Sequence, residues 1–197
     1  MASINATADR RVVGYIIFGH DNGSHFFETP PPQGVLCPRC KSVLNTAFRP
    51  ARLNLRTKLD VSSTYDNVKV VSTRFRALCD DHMLPGLAFH PFQGQDAEYF
   101  FAEGTREVEF DAARRKTRFL HKCDRCGNFE EVIGVTPAYL RVPKPVERGF
   151  FRTNIAFGSG ASKRPAVIVD IETAVMLKRH KLRGMDLHEA EGQADAI

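Results

Sequence analysis

Two cysteine pairs, Cys37-Pro38-Arg39-Cys40 and Cys123-Asp124-Arg125-Cys126, constrain this chain more than any other feature. Two thiolates separated by two residues can face one metal ion from a tight knuckle, and two knuckles complete the tetrahedral four-sulfur set of a closed structural site. Cys37, Cys40, Cys123 and Cys126 are therefore the candidate zinc ligands. The intervening segment, residues 41–122, is far longer than the spacer of a zinc finger, so a shared ion would clamp two halves of the chain instead of nucleating a miniature domain. Paired cysteines also suit a redox dithiol or a disulfide, and that alternative stays open on sequence alone.

The chain has 197 residues, 43% of them hydrophobic and 26% charged, which suffices for one sizeable core and a single domain over residues 1–197. A metal would orient such a fold, not create it. No stretch approaches the roughly 20 apolar residues of a membrane span, and Met1 to Arg11 lacks the pattern of a signal peptide, so the expected location is cytoplasmic. The formal charge of +5 counts every thiol as neutral. Four thiolates around a divalent ion would bring it to about +3, too mild to define a nucleic-acid partner.

The clearest periodic pattern occurs twice. Val68 to Val71 reads as a strand, Ser72 as the N-cap of a helix with Phe75, Leu78 and Cys79 on one face, Pro85-Gly86 as its stop and Leu87 to Phe89 as the next strand. Ala166 to Val169, Asp170, the helix Ile171 to Lys181 with Ala174, Val175 and Leu177 apolar, Gly184 and Met185 to Leu187 repeat that order. One ungapped offset of 98 residues aligns the caps, the stops and His82 with His180 and His90 with His188. The expected class is α+β: internally duplicated strand-helix-strand units with an antiparallel sheet, joined by the cysteine knuckles. The pseudo-repeats span about 35–92 and 121–190, and 91–122 is an inserted β-meander. An N-terminal hairpin is expected to turn at Asp21-Asn22-Gly23, residues 1–10 to form a polar leader, 158–162 a flexible loop and the acidic tail from Glu189 to fray.

Other motifs have plainer readings. His121 adjoins the second knuckle, but four thiolates already close the site. Cys79 belongs to an apolar helix face, and Asp80 and Asp81 beside it disfavour a thiolate. His82 and His180 sit near helix C-termini, where the dipole favours imidazolium. No nucleophile-base pair, carboxylate dyad or phosphate loop is present, which points away from an enzyme. Arg114, Arg115, Lys116 and Arg118, interleaved with Phe110 and Phe119, are the candidate partner-binding residues, and they keep a nucleic-acid partner open as an alternative.

Cys123-Asp124-Arg125-Cys126-Gly127, preceded by a first CxxC and followed by strand, helix and the ending Leu182 to Leu187, resembles the double-CXXCG-motif bacterial proteins abundant in myxobacteria. Lys41 replaces the glycine expected after Cys40. The resemblance implies zinc at the four cysteines and a non-enzymatic immunity protein that binds a cognate polymorphic or contact-dependent toxin, with the inserts 41–67 and 91–122 as its specificity surface.

Overall fold

The computed structural model describes residues 11–27, 30–50, 53–92 and 98–192. The leader 1–10, Arg52 of the early basic cluster and the end of the acidic tail lie outside that range. The first strands are β1 (Val12–Asp21), β2 (Val61–Ser63) and β3 (Lys69–Ser72), followed by helix α1 (Thr73–Asp81), β4 (Leu87–Pro91), β5 (Tyr99–Gly104) and β6 (Glu107–Val108). Then come α2 (Ala112–Arg115), β7 (Arg118–Lys122), β8 (Phe129–Ile133), β9 (Ala138–Tyr139), β10 (Phe150–Ser159), β11 (Arg164–Val169), α3 (Ile171–Arg179) and β12 (Met185–Glu191).

This architecture corrects the expected class. All 12 strands belong to one mixed sheet, whereas α1, α2 and α3 cover only 9, 4 and 9 residues among those described. The protein is sheet-dominated and not α+β. The two longer helices stay short because each C-cap, His82 or His180, is followed at once by a left-handed residue, Met83 at φ +48° and Lys181 at +49°, which turns the chain out of the helix. The sheet is mixed because β1 pairs with β2, β10 with β6 and β12 with β9 in parallel.

Local signals were read more reliably than global class. Ser72 and Asp170 both cap as expected, their side chains accepting from the N–H groups of Phe75 and Thr173. Phe75, Leu78 and Cys79 are buried on α1; on α3 Ala174 and Leu177 are buried, but Val175 faces solvent. The N-terminal hairpin does not form. Asn22 is buried with its amide donating to Ser62 Oγ, its N–H bonds Ser63, and the chain then dives to place Phe26 and Phe27 in a phenylalanine-rich cluster. The meander is also absent: β5 pairs with β3 and β4, β6 with β10 and β7 with β8. The 158–162 loop is the end of β10 and a 3-10 turn, and residues 189–191 are strand.

The ladders repeat themselves in a way that ties the two halves together. Val71 opposes Val61 on one side and Phe100 on the other; Val169, 98 residues later, opposes Phe150 and Tyr15. Leu87 opposes Gly104, and Met185 opposes Gly19. One unit is thus β2, β3, α1, β4 and β5, and the matching unit is β10, β11, α3 and β12 completed by β1 from the opposite end of the chain. Because β1 lies in the second unit while also pairing with β2 of the first, neither half closes its sheet alone. Matched glycines permit the close approach at the seams: a Cβ on Gly19 would lie 2.4 Å from the Ser62 backbone, and one on Gly104 would lie 2.9 Å from Arg152 Cβ and 3.2 Å from the Phe151 backbone. The main core, with Val61, Val71, Phe75, Phe100, Phe150, Val169 and Leu177, fills the space between these units.

Candidate metal centre

The four cysteines converge. Cys37 Sγ lies 3.9 Å from Cys123 Sγ and Cys40 Sγ lies 3.4 Å from Cys126 Sγ, and all four sulfurs fall within 4.8 Å of one another. A tetrahedron with metal–sulfur bonds of about 2.3 Å has edges of about 3.8 Å, so this donor set fits one ion. Each pairing joins residues 86 apart in sequence, one from each knuckle.

The knuckles have the same construction. Cys37 N–H donates to the Ser42 carbonyl and Lys41 N–H to the Cys37 carbonyl; Cys123 N–H donates to the Asn128 carbonyl and Gly127 N–H to the Cys123 carbonyl. The second knuckle starts directly from the end of β7. Lys41, where the family resemblance predicts glycine, takes φ +61°, and its counterpart Gly127 takes +73°. A Cβ at Gly127 would meet nothing within 4 Å, so the site demands a left-handed backbone but leaves room for a side chain. Arg39 and Asp124 form an exposed ion pair between the knuckles, which contributes little in water.

The surroundings favour thiolates at the first knuckle. The Cys40 N–H pulls Cys37 below its ordinary value against the effect of burial. Burial opposes ionisation of Cys40, but the Ser42 hydroxyl and N–H, with smaller help from the Cys126 and Cys123 thiols, bring it down to about 6. Ser42 Oγ accepts from Lys163 Nζ at 2.8 Å and lies 3.2 Å from Cys40 Sγ, which leaves its proton for the sulfur. Cys126 responds in the opposite sense. The Asn128 N–H favours its anion, yet burial and the neighbouring Cys40 and Cys37 sulfurs push it up to about 11. Four thiolates together therefore require a cation at their centre, and loading the site near neutral pH expels protons.

The remaining candidates separate from this centre. His121 lies outside the sulfur cluster. His82 and His180 meet edge to face at 5.9 Å, but His90 lies 3.6 Å from Glu103 and His188 packs on Phe18, so the four histidines do not form one site. Arg114 and Arg115 are engaged internally. Arg114 donates to the Gly192 carbonyl and Glu191 carboxylate and stacks over Tyr139 at 4.0 Å, while Arg115 donates to the Thr136 carbonyl. Only Lys116 and Arg118 of the predicted set are exposed without such anchors. Sequence reasoning missed Lys69, Lys163 and Arg164, three partly buried cations beside the centre. The available signal was Lys69, a lone charge in the strand run Val68 to Val71 at the position matched by Val167.

No protein-family model matches the chain, and no curated protein matches it in sequence.

Cys79 provides a test of this assignment. It is buried, and burial, with a smaller contribution from the Asp80 charge, pushes its thiol up to about 12. In metal-loaded protein at pH 8, a disulfide reagent should titrate no cysteine; after chelation it should titrate four, and the fifth only on unfolding. Reaction of Cys79 in the native protein would contradict the burial that keeps it protonated.

Proposed function

We propose that the chain is a non-enzymatic, cytoplasmic, zinc-binding immunity protein that binds and neutralises a cognate bacterial toxin. The observation that carries this reading is the closed thiol set. A catalytic zinc keeps three protein ligands and an open position, whereas four mutually close sulfurs drawn from both knuckles leave no coordination site for substrate. Zinc is the natural ion for a tetrahedral four-thiolate site in such a protein. Its role is to fix the β7–β8 hairpin against the first knuckle. The resemblance to double-CXXCG-motif proteins supplies the toxin partner, and among the described residues no helix is long and apolar enough to cross a membrane.

The hairpin is also the surface best suited to grip. β7 ends the strand order, so its outer backbone groups are free to pair with a partner strand. Phe119 and Ile133, on opposite faces of the hairpin, are each 40% exposed; Arg118 sits across the ladder from Ile133, and Lys116 and Lys122 add positive charge at the two ends of β7. Aromatic anchors beside arginine are the residue types that dominate hot spots, and the charge suits an acidic partner face. A tagged chain should co-purify with the product of the adjacent gene, and Phe119→Ala with Arg118→Glu should weaken that complex by about 1,000-fold, the scale of two hot-spot contacts of about 2 kcal/mol each. Absence of a protein partner, together with oligonucleotide binding that falls steeply with salt, would replace this reading with a nucleic-acid-binding one.

A further inference from the structure

Beside the cysteine cluster, between the first-knuckle segment, the β7–β8 hairpin and the sheet, lies a partly open cavity of about 520 Å³. That is within the roughly 300–1,000 Å³ range of small-molecule sites. The matched residues Ser42 and Asn128, each two positions beyond a knuckle's last cysteine, lie at its edge, and Lys69 and its counterpart Val167 lie in its wall. The apolar wall is aromatic, with Phe27, Phe48 and Phe101 on one side and Phe119 and Phe129 on the other.

The charge on this wall is one-sided. Arg49, Lys69, Arg152, Lys163 and Arg164 line the cavity, and Glu103 is the one carboxylate among the described lining residues. Arg49 pairs with Glu103 at 2.8 Å and Arg152 with Glu107 at 3.5 Å. Among the described residues the other three have only neutral hydrogen-bond partners. Lys69 Nζ donates to Ser63 Oγ at 2.9 Å, Lys163 Nζ to Ser42 Oγ and the Phe129 carbonyl, and Arg164 to the Ala161 and Lys163 carbonyls while lying over the Phe27 ring. These charges are held at a cost: burial lowers Lys69 to about 8, and lowers Arg164 to about 10 despite the more distant Asp66 and Glu103. Folding does not require that cost at Lys69, because the matched position in the other unit is Val167.

We propose that this cavity binds a small organic anion, an aromatic body carrying a phosphate or carboxylate, with Lys69, Lys163 and Arg164 supplying the balancing charge and the phenylalanines receiving the ring. Phe119 is shared with the surface proposed above for the toxin, but Lys69, Lys163 and Arg164, which carry the charge, belong to the cavity alone. Buried cations with only dipolar partners gain most from an anion that excludes water, and aromatic faces favour a planar ring.

The test uses metal-loaded full chain and two dyes with the same ring skeleton, 1-anilinonaphthalene-8-sulfonate and neutral N-phenyl-1-naphthylamine, each titrated by fluorescence. The anionic dye should bind one per chain and at least about tenfold tighter than the neutral one, the scale of one charge-assisted hydrogen bond. Lys69→Met and Arg164→Gln should each remove about that factor for the anionic dye and leave the neutral dye within about twofold. Thr46→Trp, at an exposed position on the rim, should weaken both dyes and serves if a cation variant does not fold. Displacement of the dye by phenyl phosphate or by benzoate identifies the acid group preferred. Equal affinity for the two dyes, indifference to these substitutions, or failure of both acids to displace would overturn the proposal.

Discussion

Removing the metal with a strong chelator is expected to lower the melting temperature by roughly 8–16 °C without abolishing the fold. Free zinc at about 1,000 times its dissociation constant contributes about 4 kcal/mol to the folded state by mass action, and one kcal/mol moves a chain of this size by about 2–4 °C. The loss should be local first. The second knuckle reaches the rest of the sheet through the β7–β8 hairpin, and β8 meets β10 at only Val132 with Gly158 and Glu131 with Ser159. The main core contains none of the four sulfurs. Hydrogen exchange over residues 118–133 should therefore rise on chelation well before that of β1, β11 and β12, followed by mass spectrometry. Uniform unfolding of the whole chain on chelation would mean that the ion creates the fold and does not merely clamp it.

The second large effect concerns the matched glycines. Gly86→Ala places a Cβ 2.0 Å from the Phe150 carbonyl oxygen, and Gly184→Ala places one 2.5 Å from the Val61 carbonyl oxygen. Each position also holds a positive φ that alanine resists by roughly 1–2 kcal/mol. The neighbouring backbone is not free to retreat, because the Phe150 N–H donates to the Pro85 carbonyl and the Val61 N–H to the Arg183 carbonyl. Each substitution should cost about 3 kcal/mol or more in urea unfolding, from strain and displaced backbone together. Gly34→Ala, whose added Cβ meets nothing within 4 Å, is the control for left-handed strain alone and should cost about 1 kcal/mol. Equal effects at all three positions would show that the close approach between units does not matter.

What the sequence disclosed follows from the range of each interaction. Helix N-caps and the facing positions of α1 are set by neighbours three or four residues away, and they were legible in Ser72 and Asp170; the left-handed Met83 and Lys181 that end the two helices carry no such signal in their residue type. The cysteine pairs were legible because two thiolates at that spacing have few other uses, and the structure brings all four within reach of one ion. The sheet was not legible. Whether Ser24 to Phe27 turns back on β1 or buries its rings in the core depends on Ser63, Asp66 and Phe101, tens of residues away, and Asp66 Oδ2 takes the Phe26 and Phe27 N–H groups that a hairpin would have used. The same holds for β5, β6 and β7, which read as one meander because each is locally a strand, while their partners lie in β3, β10 and β8. Arg114 and Arg115 looked like a binding patch for a related reason: the acceptors that engage them, Gly192 and Thr136, are distant in sequence.

The central claim is that one ion joins the two knuckles. X-ray absorption at the zinc edge on protein purified from its native cells measures this directly. One zinc per chain with a first shell of four sulfurs at about 2.3 Å is the predicted result. A shell containing oxygen or nitrogen, fewer than four sulfurs, or a chain with no stoichiometric metal would contradict it.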